Sequence, residues 1–396
     1  MAIRYEDATK LYQQTLKEIS KDEMSWSTFL KSACRNYRLP FADMVMIYAQ
    51  RPDATAVLEI EDWNKRYGLW IKPKSKGIAV FDSSYNNYAR LKYYFDISDT
   101  RQTRFYRPVP IWELKEDYEE EVINTLKDNF GPLDNENDLA QAVLSASGNV
   151  VEDNISDYLK ELQYCKTDSF LEDLDEQNTE IIYKSLLTAS VAYMTLSRCD
   201  INADDYISND ILRQIAQFNT RETLNALGVP TKDISQMVIG EIRKTVLSLI
   251  RDENRTIADN KKNSYNKTEK DINDERSLKI MKLDYIPMGE YQIPNLTLKN
   301  ENEVQLGKYG LMRRNYLQQH RPILFTNLLT SQTLNQHLLE IEETANQRKE
   351  LLMKQLMEQM EVTEELKESN QMEWIQRMNN IEETIHEMIT KELIYS

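Results

Sequence analysis

The hydrophobic pattern changes period twice along this chain, and that limits the folds open to it. Up to residue 50 the apolar residues recur at helical spacing. Tyr5, Ala8, Tyr12, Leu16 and Ile19 line one side of a helix over 5–20, and Trp26, Phe29, Leu30 and Ala33 line a second over 25–37. Ser25 is the expected N-cap of that second helix. Pro40 separates it from a short helix over 41–50. Between 55 and 110 the pattern becomes short aromatic and β-branched runs: Trp70-Ile71, Ile78-Ala79-Val80-Phe81 and Leu91-Lys92-Tyr93-Tyr94-Phe95. Gly68, the turn at 72–77 and Asn86-Asn87 punctuate them, so a small antiparallel sheet is expected. From Ile111 onward the period is helical again. Helices are expected at 113–129, 137–147, 153–165, 179–199, 208–217, 220–227 and 233–253. The fold class is therefore mainly α, with a small N-terminal α+β module.

Residues 254–277 are polar, with little to bury, and read as a flexible linker. A hairpin or extended arm is expected over 283–298, punctuated by Pro287, Gly289 and Pro294. Helices follow at 309–318, 322–330, 333–360 and 372–394. In the last, Trp374, Met378, Ile381, Ile385 and Met388 form an apolar seam. It answers Leu334, Leu338, Ile341, Ala345, Leu352 and Leu356 of the helix before, as in an antiparallel helical hairpin. The expected domains are a head at 1–110, a helical middle at 111–253, the linker at 254–277 and a C-terminal helical module at 278–396.

Charge divides the chain in the same places. Residues 1–110 hold 18 Lys and Arg against 13 Asp and Glu, a net of +5; residues 111–277 hold 18 against 34, a net of −16. The head can meet phosphate. The middle repels phosphate and attracts basic, nucleic-acid-binding surfaces. There is no apolar run of membrane-spanning length and no signal-peptide pattern, and the three cysteines are widely spaced. A cytoplasmic protein with reduced thiols and no membrane contact is expected.

Catalytic motifs are missing. Residues 1–319 contain no histidine, and no cysteine pair has metal-ligand spacing, so no zinc site is expected. The Asp200–Asp204 stretch resembles the start of a calcium loop, but Asp205 stands where glycine is needed and Ile211 where glutamate is needed; it reads as a turn. No phosphate-binding loop, dinucleotide fingerprint or nucleophile elbow occurs. No cofactor and no enzymatic activity are expected.

The head is the best candidate for binding. Twelve aromatic residues between Trp63 and Trp112, Tyr85 and Tyr88 among them, interleave with lysines and arginines. Rings on which bases stack, beside cations that follow the backbone, suit a single strand. The expected phosphate contacts are Lys72, Lys74 and Lys76 on a turn, Arg90, and Arg101, Arg104 and Arg107 on the following segment. Trp63, Trp70, Phe81 and Phe95 are expected to supply the core. Asp168, Glu172, Asp173, Asp175 and Glu176 are the expected contact of the acidic middle with a basic protein partner. Lys308, Arg313, Arg314 and Arg321 read as a solvated basic face.

Two stretches carry a family resemblance. Trp26-Ser27-Thr28-Phe29-Leu30 and Tyr48-Ala49-Gln50-Arg51-Pro52-Asp53-Ala54, with Phe95–Arg101, resemble the N-terminal region of Snf-type helicase and methyltransferase proteins of integrative and conjugative elements. That region is related to the single-strand-binding part of the antirestriction protein ArdC. The resemblance covers residues about 20–256. It does not extend to the metalloprotease-like half of ArdC, whose His-Glu-x-x-His helix has no counterpart here. In the heptapeptide, a helix ending before Pro52 and Asp53 capping the turn are expected; for the carboxylates of 95–101, turn chemistry and site chemistry stay open. Leu306–Leu317 and Glu392–Ser396 resemble TnpV, a small transposon-encoded protein, over 278–396.

Both resemblances imply a mobile genetic element. Two functions follow as expectations. The first is a non-enzymatic inhibitor that binds a host nuclease, restriction enzyme or CRISPR effector. The alternative is a DNA-binding accessory factor of conjugation or transposition, acting through the head.

Overall fold

The computed structural model describes residues 6–82, 90–260, 283–297, 306–360, 362–363, 366–367 and 370–395. Of the aromatic residues named above, Tyr85 and Tyr88 lie outside these residues, as do 261–277 of the polar segment.

The chain is mainly helical, with small antiparallel sheets near its N-terminus. It forms two compact units. The first holds residues up to Val80, Leu91–Thr297 and therefore both the basic head and the acidic middle. Helices α1 (Ala8–Ile19), α2 (Glu23–Ala33) and α3 (Phe41–Gln50) open it. Asp22, not Ser25, caps α2: its carboxylate accepts from the Ser25 amide at 2.8 Å. An acidic side chain there also suits the positive end of the helix dipole.

Helix α4 spans Glu119–Phe130, α5 Leu139–Cys165, α6 Glu176–Arg198 and α7 Arg221–Asn260. Two of these are longer than the sequence breaks suggest. α5 runs through Gly148, so 137–147 and 153–165 are one helix. α7 runs through Gly228 and Pro230 and on to Asn260, so 220–227 and 233–253 are one helix and 254–260 are helical rather than linker. Pro230 removes one backbone donor, but Leu227, Val229, Ile234 and Val238 around it are all buried. Burial of that face outweighs the local cost. A β-carbon on Gly228 would meet the Phe41 ring at 2.1 Å, which explains a glycine in the middle of a helix.

The head and the middle share one core. The Tyr12 hydroxyl donates to Asn225 of α7, and the Trp26 indole donates to Ser190 of α6 at 2.9 Å, both fully buried. These sequence-distant hydrogen bonds tie α1 and α2 into the helical middle.

The strands of this unit are β1 (Glu6–Asp7), β2 (Val57–Leu58), β3 (Leu69–Ile71), β4 (Ile78–Asp82) as far as Val80, β5 (Arg90–Asp96) from Leu91 on, and β6 (Thr100–Gln102). β2, β5 and β4 form a sheet in that order, and β3 pairs β6 as a separate ribbon. A hairpin, β7 (Tyr285–Met288) and β8 (Tyr291–Pro294), joins the same unit, followed by β9 (Leu296–Thr297). β9 pairs parallel to β1. The amides of Lys74 and Gly77 donate to the Glu290 and Gln292 carbonyls, both at 2.7 Å, and the Gln292 amide returns to Ser75 at 3.0 Å.

The second unit contains α8 (Lys308–His320), α9 (Pro322–Thr330), α10 (Leu334–Gln359) and α11 (Gln371–Ile389). Ala345 and Leu352 of α10 pack with Ile381, Ile385 and Ile389 of α11 in one core cluster. The seam of α11 ends on Ile389; Met388, expected in it, is 36% exposed. Arg313 and Arg314 are buried rather than on a solvated basic face. Among the described residues, no helix is long and apolar enough to cross a membrane.

Candidate nucleic-acid interface

The β3–β6 ribbon puts aromatic rings and guanidinium groups outside together. Leu69 and Ile71 face the core, so the alternation of a strand sends Trp70 to the other side; it is 51% exposed. Trp70 lies directly opposite Arg101 in the ribbon, and residues opposite each other project from the same face. The chain beyond β6 is folded back onto the 67–68 turn. The Thr103 hydroxyl donates to the Gly68 carbonyl at 2.7 Å and the Arg107 amide to the Tyr67 carbonyl at 2.7 Å. Gly68 makes this possible: its φ is +62°, and a β-carbon there would meet the Phe105 carbonyl oxygen at 2.9 Å. The pinned segment presents Phe105, 83% exposed, and Tyr106, 44% exposed. Arg101, Arg104 and Arg107 are exposed and form no ion pair among the described residues.

Of the four residues expected to fill the head's core, Trp63 and Phe95 share one core cluster, Phe81 is buried but belongs to the second unit, and Trp70 is exposed. Trp63 is completely buried, and its indole donates to the Phe95 carbonyl at 2.8 Å.

The three lysines of the 72–76 turn do not act as a set. The Lys72 ammonium donates to the Ser98 carbonyl at 2.8 Å. Lys74, at a φ of 66°, and Lys76 line a cavity of about 770 Å³ with Arg51, Asp53, Asp99 and Asp284. Lys76 also sits 4.7 Å from the centre of the Tyr285 ring. Three cations and three carboxylates balance there, so this cleft lacks the one-signed field of a phosphate trap. Arg90 begins β5 and belongs to the second unit.

The Tyr48–Ala54 heptapeptide holds structure together around this cleft. The buried Gln50 amide donates to the Ala79 carbonyl at 2.8 Å and accepts from the Ala79 amide at 2.9 Å, which satisfies β4 as a neighbouring strand would. Ser32 donates to the Pro52 carbonyl at 2.6 Å. α3 ends at Gln50, ahead of Pro52. The turn is closed by the Ala54 amide on the Arg51 carbonyl, and Asp53 is 71% exposed beside Arg51.

The Phe95–Arg101 carboxylates divide. Asp96 is buried and accepts from the Thr55, Ala56 and Ser98 amides and the Ser98 hydroxyl. Burial alone would push its carboxyl up, but these donors outweigh it and hold the pKa below the usual value. Asp96 is turn chemistry. Asp99 pairs with the guanidinium of Arg51, which also donates to Ser98 at 2.7 Å.

In the acidic middle, Asp168, Glu172, Asp173, Asp175 and Glu176 are exposed on the connection from α5 to α6. Glu172 accepts from the Asp168 amide, and Asp175 caps α6 through the Asn178 amide at 2.8 Å. Phe170, 67% exposed, and Ile181, 58% exposed, stand in and beside this connection. Asp200, at a φ of 61°, lies in a turn. Among the described residues, no group of His, Cys, Asp and Glu could hold a metal ion.

Residues 284–394 match the model of the family described as transposon-encoded protein TnpV. The TnpV segment therefore begins with the β7–β9 arm, which belongs to the first unit, and continues through α8–α11 of the second. No curated protein and no solved structure matches the chain. None of these comparisons bears on the resemblance of residues about 20–256 to the conjugative-element proteins, which stays a resemblance.

Proposed function

We propose that this is a mobile-element protein whose head binds single-stranded nucleic acid, as an accessory factor of conjugation or transposition. The supporting observation is the β3–β6 ribbon. Trp70, Phe105 and Tyr106 leave the core and stand with Arg101, Arg104 and Arg107. Exposing such rings singly is common, but three together with three cations match what stacking bases and following phosphates require. The role is binding rather than catalysis.

The test is fluorescence anisotropy of a labelled single-stranded oligonucleotide with the full chain. Binding should weaken with salt. Trp70→Ala should lower affinity about five- to hundredfold, from the worth of one base on one ring. An affinity indifferent to Trp70→Ala and to Arg101→Glu/Arg104→Glu/Arg107→Glu would overturn the reading.

One observation favours a second reading, in which the protein inhibits a host nuclease, restriction enzyme or CRISPR effector. Charge attraction speeds encounter but gives little affinity without apolar anchors. The exposed Phe170 within the acidic connection supplies one. Reversing Asp168, Glu172, Asp173, Asp175 and Glu176 to Lys should then abolish inhibition of the effector; unchanged inhibition removes this reading.

A further inference from the structure

The face of α8 that carries Met312, Asn315, Tyr316, Gln319 and His320 follows the stripe spacing by which a helix normally covers a core. Here that stripe, with Tyr395 opposite, lines an open cavity of about 450 Å³. Three rings meet in it. Tyr316 lies 5.3 Å from His320 and 5.2 Å from Tyr395, centre to centre. The rings are held from behind. Buried Arg313 donates to the Ile394 carbonyl at 2.8 Å, and the Tyr316 hydroxyl donates to the Tyr395 carbonyl at 3.2 Å. Tyr395 stays 55% exposed and His320 is exposed, so ring surface remains free to stack.

Beside the rings stand two exposed amides, Asn315 and Gln319, one helical turn apart. Neither makes a side-chain hydrogen bond among the described residues. Each offers a donor and an acceptor in one plane. Residues 308–321 contain no Asp or Glu, and among the described residues no carboxylate lines the cavity; of the four cations in that stretch, Arg313 and Arg314 are buried.

The geometry points to a binding pocket for an unstacked base of a single-stranded nucleic acid. Rings to stack on and planar amides to meet a base edge are the means by which an unstacked base is recognised. The site stands on the TnpV segment and does not depend on the head: none of its residues belongs to the β3–β6 ribbon.

The full chain is irradiated with a single-stranded oligonucleotide carrying 5-iodouracil, and the crosslinked peptides are identified. Affinities are measured in parallel for a base-bearing oligonucleotide and an abasic one of the same length. The expected crosslinks fall on Tyr316, His320 or Tyr395. Tyr395→Ala and Asn315→Ala/Gln319→Ala should each weaken binding of the base-bearing strand about five- to tenfold, leave the abasic strand unaffected and leave the far-ultraviolet circular dichroism unchanged. Crosslinks confined to other peptides, or affinities unmoved by both variants, would overturn the pocket and give this face to a protein partner. Failure here is separable from failure of the head. If Trp70→Ala abolishes binding while the pocket variants bind normally, the pocket is wrong and the head reading stands. If the pocket variants lose the crosslink while Trp70→Ala changes nothing, the head reading is wrong and the pocket stands.

Discussion

Trp63 and Trp70 stand seven residues apart in the head and meet opposite solvents. Trp63 sits completely buried beside the β2–β5–β4 sheet, with its indole proton on the Phe95 carbonyl. Trp70 stands half exposed on the β3–β6 ribbon, opposite Arg101. In the sheet, β4 is buried at every position from Ile78 to Asp82, whereas β3 alternates buried, exposed, buried. A strand covered on both faces spends all its aromatic neighbours on packing. A two-stranded ribbon covered on one face has a second face to use, and in this chain that face carries rings and cations.

The largest expected effect separates the two tryptophans by stability. Trp63→Ala leaves a cavity and removes the indole donor from the Phe95 carbonyl, and should cost about 3–5 kcal/mol. Trp70→Ala removes a ring already in water and should cost under about 1 kcal/mol. Urea denaturation of the full chain reads both. Equal losses would break the comparison, because the ribbon would then be core.

Next comes Asp96, which accepts from the Thr55 and Ala56 amides before β2 and from the amide and hydroxyl of Ser98 just after β5. Asp96→Ala should cost about 1–2 kcal/mol, since it takes the shared acceptor from three part-buried amides. The pH dependence is distinctive. The folded carboxyl titrates below its ordinary value of 3.8. Its contribution is therefore complete above about pH 4 and is lost as the pH falls through the folded pKa. Comparing acid unfolding of the wild type and Asp96→Asn measures this. A variant with an unchanged acid limb would show that Asp96 is not held by those donors.

Much of this was legible in the sequence, and the misses have physical reasons. The period change at 55 and the return to helix after 111 locate the sheet region, because spacing reports directly which side is buried. The helix breaks at Gly148 and Gly228–Pro230 misled, because propensity is a local cost while burial of a long apolar face is a sum over many residues. Residue type alone puts Trp70 in the core; the alternation Leu69-Trp70-Ile71 puts it on the other face. Arg101 pairs with Trp70 across the ribbon and Arg104 and Arg107 are exposed beyond it, whereas Lys72, Lys74 and Lys76 separate, since their neighbours Ser98, Tyr285 and Asp284 are distant in sequence. The cavity on α8 is hidden for a similar reason: its stripe spacing is that of an ordinary core face, and only the fold shows that, among the described residues, Tyr395 stands across from it.

The smallest expected effects fall on the cations, and they test the comparison most finely. Lys92 on β5 is largely buried: its ammonium lies 3.8 Å from the Asp43 carboxylate and 5.0 Å from the centre of the Tyr94 ring. Arg101 on β6 is exposed and has no acidic partner among the described residues. Lys92→Glu puts a carboxylate beside a buried Asp43, so it should cost about 1–2 kcal/mol, and it should leave the salt dependence of oligonucleotide binding alone. Arg101→Glu should change stability by under about 0.5 kcal/mol. If Arg101 meets a phosphate, however, that substitution should reduce the slope of log affinity against log salt by about 0.7. Chemical denaturation gives the first quantity and a salt titration of anisotropy the second. A lysine of the sheet that altered the slope, or an arginine of the ribbon that altered only stability, would reverse the assignment of the two faces.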